Sequence, residues 1–140
     1  MPKIIIHTDG GSRGNPGPAA YGFVIESVNP KWKKEYGEYI GETTNNVAEY
    51  SAVVFALKKA KELLKGKAGE TDVEVKADSE LIVRQMAGIY RVKNPGLKLL
   101  FAEVQILMEN FKSVSFTHVR REKNQEADAM VNMALDSQNK

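Results

Sequence analysis

The sequence predicts an α/β protein built on one sheet of mixed strand direction. Short β-branched apolar runs come first, and the apolar residues then change to helical spacing near residue 46. Strand and helix patterns alternate through the rest of the chain, which is typical of α/β folds. The 140 residues match the length of one domain, so we expect residues 1–140 to form a single domain with one core.

Three strands are expected before the first helix. Residues 3–8 are β-branched with apolar side chains on both faces, which is typical of a central strand. Residues 21–28 form the second candidate strand, and residues 34–42 form the third, beyond the turn marked by Asn29 and Pro30. Because the connections are short, these strands should form an antiparallel meander.

The main helix is expected over residues 46–65, where apolar residues recur at helical spacing until Gly66 ends the pattern. The next elements are a strand over 72–77, a short helix capped by Ser79 and extending through Ala87, a helix over 97–111, a strand over 114–119 and a last helix capped by Asn124. The predicted order is β-β-β-α-β-α-α-β-α.

The composition excludes several classes of site. The chain has no cysteine, which excludes disulfides, thiolate zinc sites and cysteine nucleophiles, and its 2 histidines are too few for a common zinc site. No stretch approaches the roughly 18 apolar residues of a membrane span, and the first residues lack a signal-peptide pattern. We therefore expect a cytoplasmic protein. The net charge of +2 fits either an ordinary solvated surface or a nucleic-acid partner.

Four carboxylates fall where the predicted fold would bring them together. Asp9 and Asp78 end two strands, while Glu49 and Asp128 border the apolar faces of the main and last helices. Like charges this close cannot all stay ionised unless a cation neutralises them. Oxygen ligands without histidine or cysteine suit Mg²⁺ or Mn²⁺.

Each of these acids has an ordinary alternative role. Asp9 would begin a turn, and Asp78 would act with Ser79 in capping a helix. Glu49 and Asp128 would complement helix dipoles. All four alternatives together require independent coincidences at the same edge of one sheet.

Four ordered motifs carry a family resemblance: TDGGSRGNPGPAAYG at 8–22, TTNNVAEY at 43–50, ADSELIVRQM at 77–86 and HVRREKNQEADAMVNMAL at 118–135. The chain resembles type 1 ribonuclease H over nearly its full length, and is most similar to the compact prokaryotic branch without a basic protrusion. The resemblance implies an RNase H-like fold with five strands. Strands 1–3 would be antiparallel, and strands 4 and 5 parallel to strand 1.

The resemblance also implies the reaction. Members hydrolyse the RNA strand of RNA/DNA hybrids by two-metal catalysis and leave 5′-phosphate and 3′-hydroxyl ends. The matching acids here are Asp9, Glu49, Asp78 and Asp128, which would hold two Mg²⁺ ions, with Mn²⁺ also possible. Asp9 would bridge both ions, Asp128 would serve the water side, and Glu49 and Asp78 the leaving-group side.

Substrate contacts are implied at positions that match the family, Asn15, Thr44, Asn45 and Asn46, and at Tyr90, which lies near a matching position. Gly10, beside Asp9, and Arg120 and Arg121, in a loop near the predicted site, are further candidate contacts. Gly10 would keep bulk away from Asp9, and Asn15 and Asn45 would read 2′-hydroxyls. Thr44 would bind a DNA-strand phosphate, and Tyr90 would pack on a DNA sugar. The alternative for Asn15 is a turn, and for Asn45 a helix cap.

The sequence departs from some members because residues 120–127, RREKNQEA, contain no catalytic-loop histidine. His118 lies nearby at a strand position, where we expect a structural role. Two other functions fit the sequence less well. A catalytically silent hybrid-binding module would be expected to lack one or more of the acids, and an aspartyl-nucleophile phosphomonoesterase would need an acid at Gly11. We expect a monomer with no membrane association and no obligatory protein partner.

Overall fold

The computed structural model describes residues 2–139 and arranges them as one sheet flanked by helices. In chain order the elements are β1 (Lys3–Ser12), β2 (Gly17–Val28), β3 (Lys31–Thr43), α1 (Asn45–Leu64), β4 (Asp72–Ala77), α2 (Glu80–Met86), α3 (Pro95–Met108), β5 (Ser113–His118) and α4 (Gln125–Asp136). Short 3₁₀ helices cover Lys65–Glu70, Arg121–Lys123 and Ser137–Asn139.

The sheet has the strand order β3-β2-β1-β4-β5. The first three strands pair antiparallel, and β4 and β5 run parallel to β1. The predicted α/β fold and strand directions are therefore confirmed. The element order is also as predicted, because the change between period 2 and helical spacing marks each element clearly.

The first three strands were predicted too short, and this matters for Asp9. The parallel pairing of β1 with β4 ends at Thr8 and Ala77, but the antiparallel pairing with β2 continues through Asp9 as far as Ser12. Asp9 therefore does not end its strand. It lies where β1 loses its neighbour on the β4 side, which leaves that edge open.

The helices cover the two faces of the sheet unequally. Helices α1 and α3 pack together on one face, and α1 contacts β1 and β2. This face holds the main core, whose fully buried members include Ile4, Ile6, Ile25, Leu57 and Val75. Helix α4 packs on the other face against β1, β2 and β3. Within residues 2–139, every helix is too short or too polar to cross a membrane.

A buried hydrogen bond joins α1 to α2. The Tyr50 hydroxyl donates to Gln85 Oε1 at 2.5 Å, and both side chains are buried. Burial raises the pKa of Tyr50 to about 12, so the hydroxyl remains a donor at neutral pH. This contact fixes α2 beside the helix that carries Glu49.

We expect Tyr50→Phe to lower the free energy of unfolding by about 1–3 kcal/mol, because Gln85 Oε1 loses its donor inside the core. Urea denaturation measures this change. Tyr39→Phe is the matched control, since the half-buried Tyr39 has no hydrogen-bond partner for its hydroxyl among residues 2–139. Equal losses in both variants would contradict the expectation.

Candidate active site

The four predicted acids lie around one cleft of about 260 Å³ at the open edge of β1. Asp9 lies in β1, Asp78 follows β4, Glu49 lies in α1 and Asp128 lies in α4. Asn45, Arg13 and Arg121 also line the cleft. The structure therefore brings together carboxylates that are far apart in sequence.

Close backbone packing positions the two helices that carry Glu49 and Asp128. A Cβ atom at Gly10 would lie 2.3 Å from the Ala48 carbonyl carbon of α1. A Cβ atom at Gly22 would lie 2.6 Å from the Ala127 carbonyl oxygen of α4. Gly10 was expected to clear space for a substrate, but the packing of α1 already requires a glycine there.

Asp9 is held in a strongly unfavourable environment for a carboxylate. Its Oδ1 accepts a 3.0 Å hydrogen bond from the Gly10 amide. Burial, together with the neighbouring Asp78 and Asp128 carboxyls, raises the pKa of Asp9 to about 8. The Asp9 carboxyl therefore needs positive charge nearby to be fully ionised at neutral pH.

Glu49 shows the same effect from burial. Burial raises the pKa of Glu49 to about 7, while the neighbouring Ser79 hydroxyl and the Arg121 charge partly oppose this shift. Its Oε2 atom is buried without a hydrogen-bond partner in the part of the chain described. Glu49 is the fifth residue of α1, beyond its first turn, so interaction with the helix dipole does not explain its position.

These observations fit a divalent cation by donor chemistry. The donors are carboxylate oxygens, one of them buried without a partner, and their mutual repulsion favours neutralisation by a hard cation. Among residues 2–139, no three His, Asp or Glu side chains already lie at ligating positions around one point. The cleft thus gathers the acids without a preformed coordination sphere.

Two asparagines are fixed beside the acids by a short relay. Asn45 Oδ1 accepts hydrogen bonds from the Ser12 amide at 2.7 Å and the Ser12 hydroxyl at 3.0 Å. Asn15 Oδ1 accepts from the Asn45 amide at 3.0 Å. Because both side-chain oxygens are occupied, both amide nitrogens remain as oriented donors with no acceptor within residues 2–139.

The helix cap beside this relay was predicted one residue too late. Thr44, and not Asn45, caps α1, because Thr44 Oγ1 accepts from the Val47 amide at 3.2 Å. Either residue type caps helices well, so the sequence alone does not separate them. The tertiary bond to Ser12 commits the Asn45 side chain to the cleft.

The remaining predicted contact residues differ in position. Arg121 lines the cleft, whereas Arg120 extends into solvent and pairs with Glu122 at 3.9 Å. Tyr90 is 47% exposed and lies under the Arg84 guanidinium, away from the cleft lining. Asn46 is half-buried and has no polar side-chain contact in the described range.

Some contacts near the acids were missed or assigned differently. Asn132 Nδ2 donates to Asp128 Oδ2 at 3.3 Å, a contact that the i, i+4 spacing would have indicated. Asn124 precedes α4 but makes no side-chain cap, since its Nδ2 donates to the Thr8 carbonyl instead. His118 is exposed at the end of β5 and does not line the cleft.

Comparisons with known proteins agree with this geometry. Residues 7–134 match the protein family described as reverse transcriptase-like. LC11-RNase H1, isolated from compost by a metagenomic approach, is 50% identical with a TM-score of 0.92 over 100% of both chains. A second structure, of LC11-RNase H1 in complex with an RNA/DNA hybrid, is 49% identical with a TM-score of 0.91 over 98% of this chain and 99% of that one.

Curated relatives include longer proteins. Ribonuclease HI of Halobacterium salinarum is 40% identical over 134 residues, which is 96% of this chain and 65% of the relative. A bifunctional protein of Mycobacterium tuberculosis is 40% identical over 136 residues, and the match spans only 36% of its length.

The fold and the carboxylate-lined cleft define a protein of the ribonuclease H-like class. Within that class, the chain belongs to the type 1 ribonuclease H family, as its four motifs predicted.

Proposed function

We propose that this protein is an endoribonuclease that hydrolyses the RNA strand of RNA/DNA hybrids, leaving 5′-phosphate and 3′-hydroxyl ends. The observation that carries the proposal is the cleft where Asp9, Glu49, Asp78 and Asp128 meet beside two oriented asparagines. The hybrid-bound structure of LC11-RNase H1, at 49% identity, supports the same substrate class.

The four carboxylates are the proposed ligands of two Mg²⁺ ions, with Mn²⁺ as an alternative. Bound there, the ions would activate the attacking water and neutralise charge that develops on the departing 3′ oxygen. Asp9 lies centrally, since both Asp78 and Asp128 act on its carboxyl. Glu49 lines this cleft and also, with Ser79, a smaller adjoining pocket that Asp9 and Asp78 share.

Recognition of the RNA strand is assigned to the fixed asparagine amides. Asn45 and Asn15 each present an amide donor whose orientation is set by the bond to its own oxygen, which suits a 2′-hydroxyl acceptor. Arg121 contributes positive charge at the cleft wall for phosphate binding. Thr44 is assigned first to the α1 cap, with phosphate binding by its amide region as a further role.

The complete acid set favours an enzyme over a catalytically silent hybrid-binding module. A binding module has no need of carboxylates, which repel phosphate unless cations are present. We further propose that the protein acts as a cytoplasmic monomer without an obligatory protein partner.

Cleavage of end-labelled duplexes tests the function. We expect the purified chain to cut the RNA strand of an RNA/DNA hybrid with Mg²⁺, to stop with excess EDTA, and to leave a DNA duplex intact. Ligation and phosphatase sensitivity of the products would identify the 5′-phosphate. Tight hybrid binding without cleavage in Mg²⁺ or Mn²⁺ would instead support the silent module.

We expect Arg121→Ala to weaken hybrid binding and to reduce the salt dependence of binding by about one phosphate contact. Fluorescence anisotropy at several salt concentrations, with Ca²⁺ in place of Mg²⁺, measures both. Lys31→Ala, at the exposed hairpin between β2 and β3, is the matched control and should leave the slope unchanged. Equal slopes for wild type and Arg121→Ala would contradict a phosphate contact at Arg121.

A further inference from the structure

We propose that Asn124 is a positioning residue that fixes the separation of Asp9 and Asp128. This inference rests on the proposed function, because it concerns the same acidic cleft. The side chain of Asn124 does not bind the cleft acids. Asn124 acts instead through hydrogen bonds to the backbone of Thr8 and the backbone of Asp128.

One residue connects the two carboxylates. Asn124 Nδ2 donates to the Thr8 carbonyl oxygen at 2.8 Å, and Thr8 directly precedes Asp9. The Asn124 backbone carbonyl accepts the amide of Asp128 at 3.1 Å. The distance from the backbone of Asp9 to the backbone of Asp128 is therefore set across a single asparagine.

The bond from Asn124 to Thr8 lies at the point where β1 loses the support of β4. The parallel pairing of β1 with β4 ends at Thr8 and Ala77, so β1 continues past Asp9 with no strand on that side. On the β2 side, α4 lies so close that a Cβ atom at Gly22 would overlap Ala127. Asn124 thus holds the start of α4 at the edge where the sheet no longer does.

Stability alone does not account for an asparagine here. Asn124 is only 1% exposed, and its Oδ1 has no hydrogen-bond partner within residues 2–139. A buried amide oxygen without a partner is unfavourable for folding, and the side chain does not cap α4. An apolar residue would fill this space without that cost, but it would not hold Thr8.

The restraint serves the chemistry of the cleft. Asp9 and Asp128 both line the cleft, and their carboxylates repel each other once both are ionised. A bond of defined length between their backbones keeps both carboxylates within reach of the same cation site. Loosening it would lower cation affinity and turnover more than hybrid binding, since the proposed hybrid contacts at Asn15 and Asn45 lie on other elements and Arg121 alone lies close to Asn124.

Two substitutions test the proposal. Asn124→Leu removes the donor while keeping the number of side-chain heavy atoms and the branch at Cγ, and Asn124→Asp keeps the shape but sets a carboxylate oxygen against the Thr8 carbonyl. In both we expect kcat to fall about 10–100-fold with KM within about threefold, and the Kd for Mg²⁺ without substrate, by calorimetry, to rise about tenfold. Crystal structures of the metal-free variants should show the Asp9 and Asp128 carboxyls further apart than in the wild type.

Thr71→Val is the matched control. Thr71 is fully buried at the opposite end of the sheet, and its hydroxyl donates to the Lys67 carbonyl at 2.7 Å. Loss of this bond should lower stability in the same way while kcat and the Mg²⁺ Kd stay at wild-type values. An equal fall in kcat for Thr71→Val would overturn the proposal, because the effect would then follow stability.

The outcome remains decisive if one variant does not fold or if the wild type does not cleave hybrids. Folded Asn124→Asp with unchanged separation of the Asp9 and Asp128 carboxyls and unchanged Mg²⁺ affinity would overturn the positioning role. A wild-type protein without hybrid cleavage would refute the proposed function, while the crystallographic comparison would still decide the role of Asn124.

Discussion

Asp9→Asn is expected to reduce cleavage of RNA/DNA hybrids by roughly 10³-fold or more, because several kcal/mol of transition-state stabilisation depend on cations held at this position. The same substitution should stabilise the metal-free protein at neutral pH. Burial and the neighbouring Asp78 and Asp128 raise the pKa of Asp9 to about 8, so ionising its carboxyl opposes folding. Single-turnover cleavage and urea denaturation in EDTA measure the two effects.

The direction of these pKa shifts determines how stability changes with pH. The Asp9 pKa rises from 3.8 to about 8 on folding, so its contribution to stability is complete below about pH 4 and is lost as pH rises towards 8. The Glu49 pKa rises from 4.5 to about 7 and acts in the same direction. The Asn variant should therefore lose less stability between pH 4 and 8, by roughly 2–4 kcal/mol.

Asp72→Asn provides the control for both measurements. Asp72 begins β4, at the end of the strand opposite Asp78, and accepts a hydrogen bond from the Ser113 hydroxyl at 2.6 Å. It should keep wild-type cleavage and show no gain in stability. An Asp9→Asn variant that cleaves at wild-type rate, or that is less stable in EDTA than wild type, would contradict the role assigned to Asp9.

The periodicity of apolar residues predicted the fold well, because burial of one face constrains the polarity of residues along the whole length of an element. The ends of strands were less predictable, since they depend on the partner. β1 extends to Ser12 because β2 continues beside it after β4 has ended, which no local pattern in β1 indicates.

The meeting of the four acids at one cleft could be predicted because carboxylates that follow buried strand residues or border apolar helix faces need an explanation. The contacts that orient their surroundings were not predictable in the same way. The bonds from Ser12 to Asn45 and from Asn124 to Thr8 join residues that are far apart in sequence and have good local alternatives as turn or cap residues.

The predicted substrate contacts on exposed loops remain predictions. Tyr90 and Arg120 lie outside the cleft lining, because the adjacent loops are free to direct exposed side chains elsewhere. Arg121, one residue further on, does line it. Neighbouring side chains in a loop can point in different directions. A motif match in a loop therefore predicts which segment lies near the site, but not which of its residues makes the contact.

Gly10→Ala is expected to cost about 3 kcal/mol or more of stability and about 100-fold in kcat. Its Cβ would lie 2.3 Å from the Ala48 carbonyl carbon and 2.5 Å from the Glu49 amide nitrogen, both backbone atoms of α1. The helix must therefore shift, and Glu49 shifts with it. Urea denaturation and single-turnover cleavage again measure the two effects.

Substitutions at two other glycines distinguish an effect on helix packing from an effect on substrate access. At Gly69 nothing lies within 4 Å of the added Cβ, so Gly69→Ala should change neither quantity. At Gly11 the Cβ would meet Asn45 Oδ1 at 3.9 Å, an ordinary contact, so Gly11→Ala should fold normally. A Gly10→Ala variant as stable as wild type would contradict the packing role. A stable Gly11→Ala variant with a raised KM for the hybrid would show that substrate access needs a glycine at residue 11, whereas helix packing needs one at residue 10.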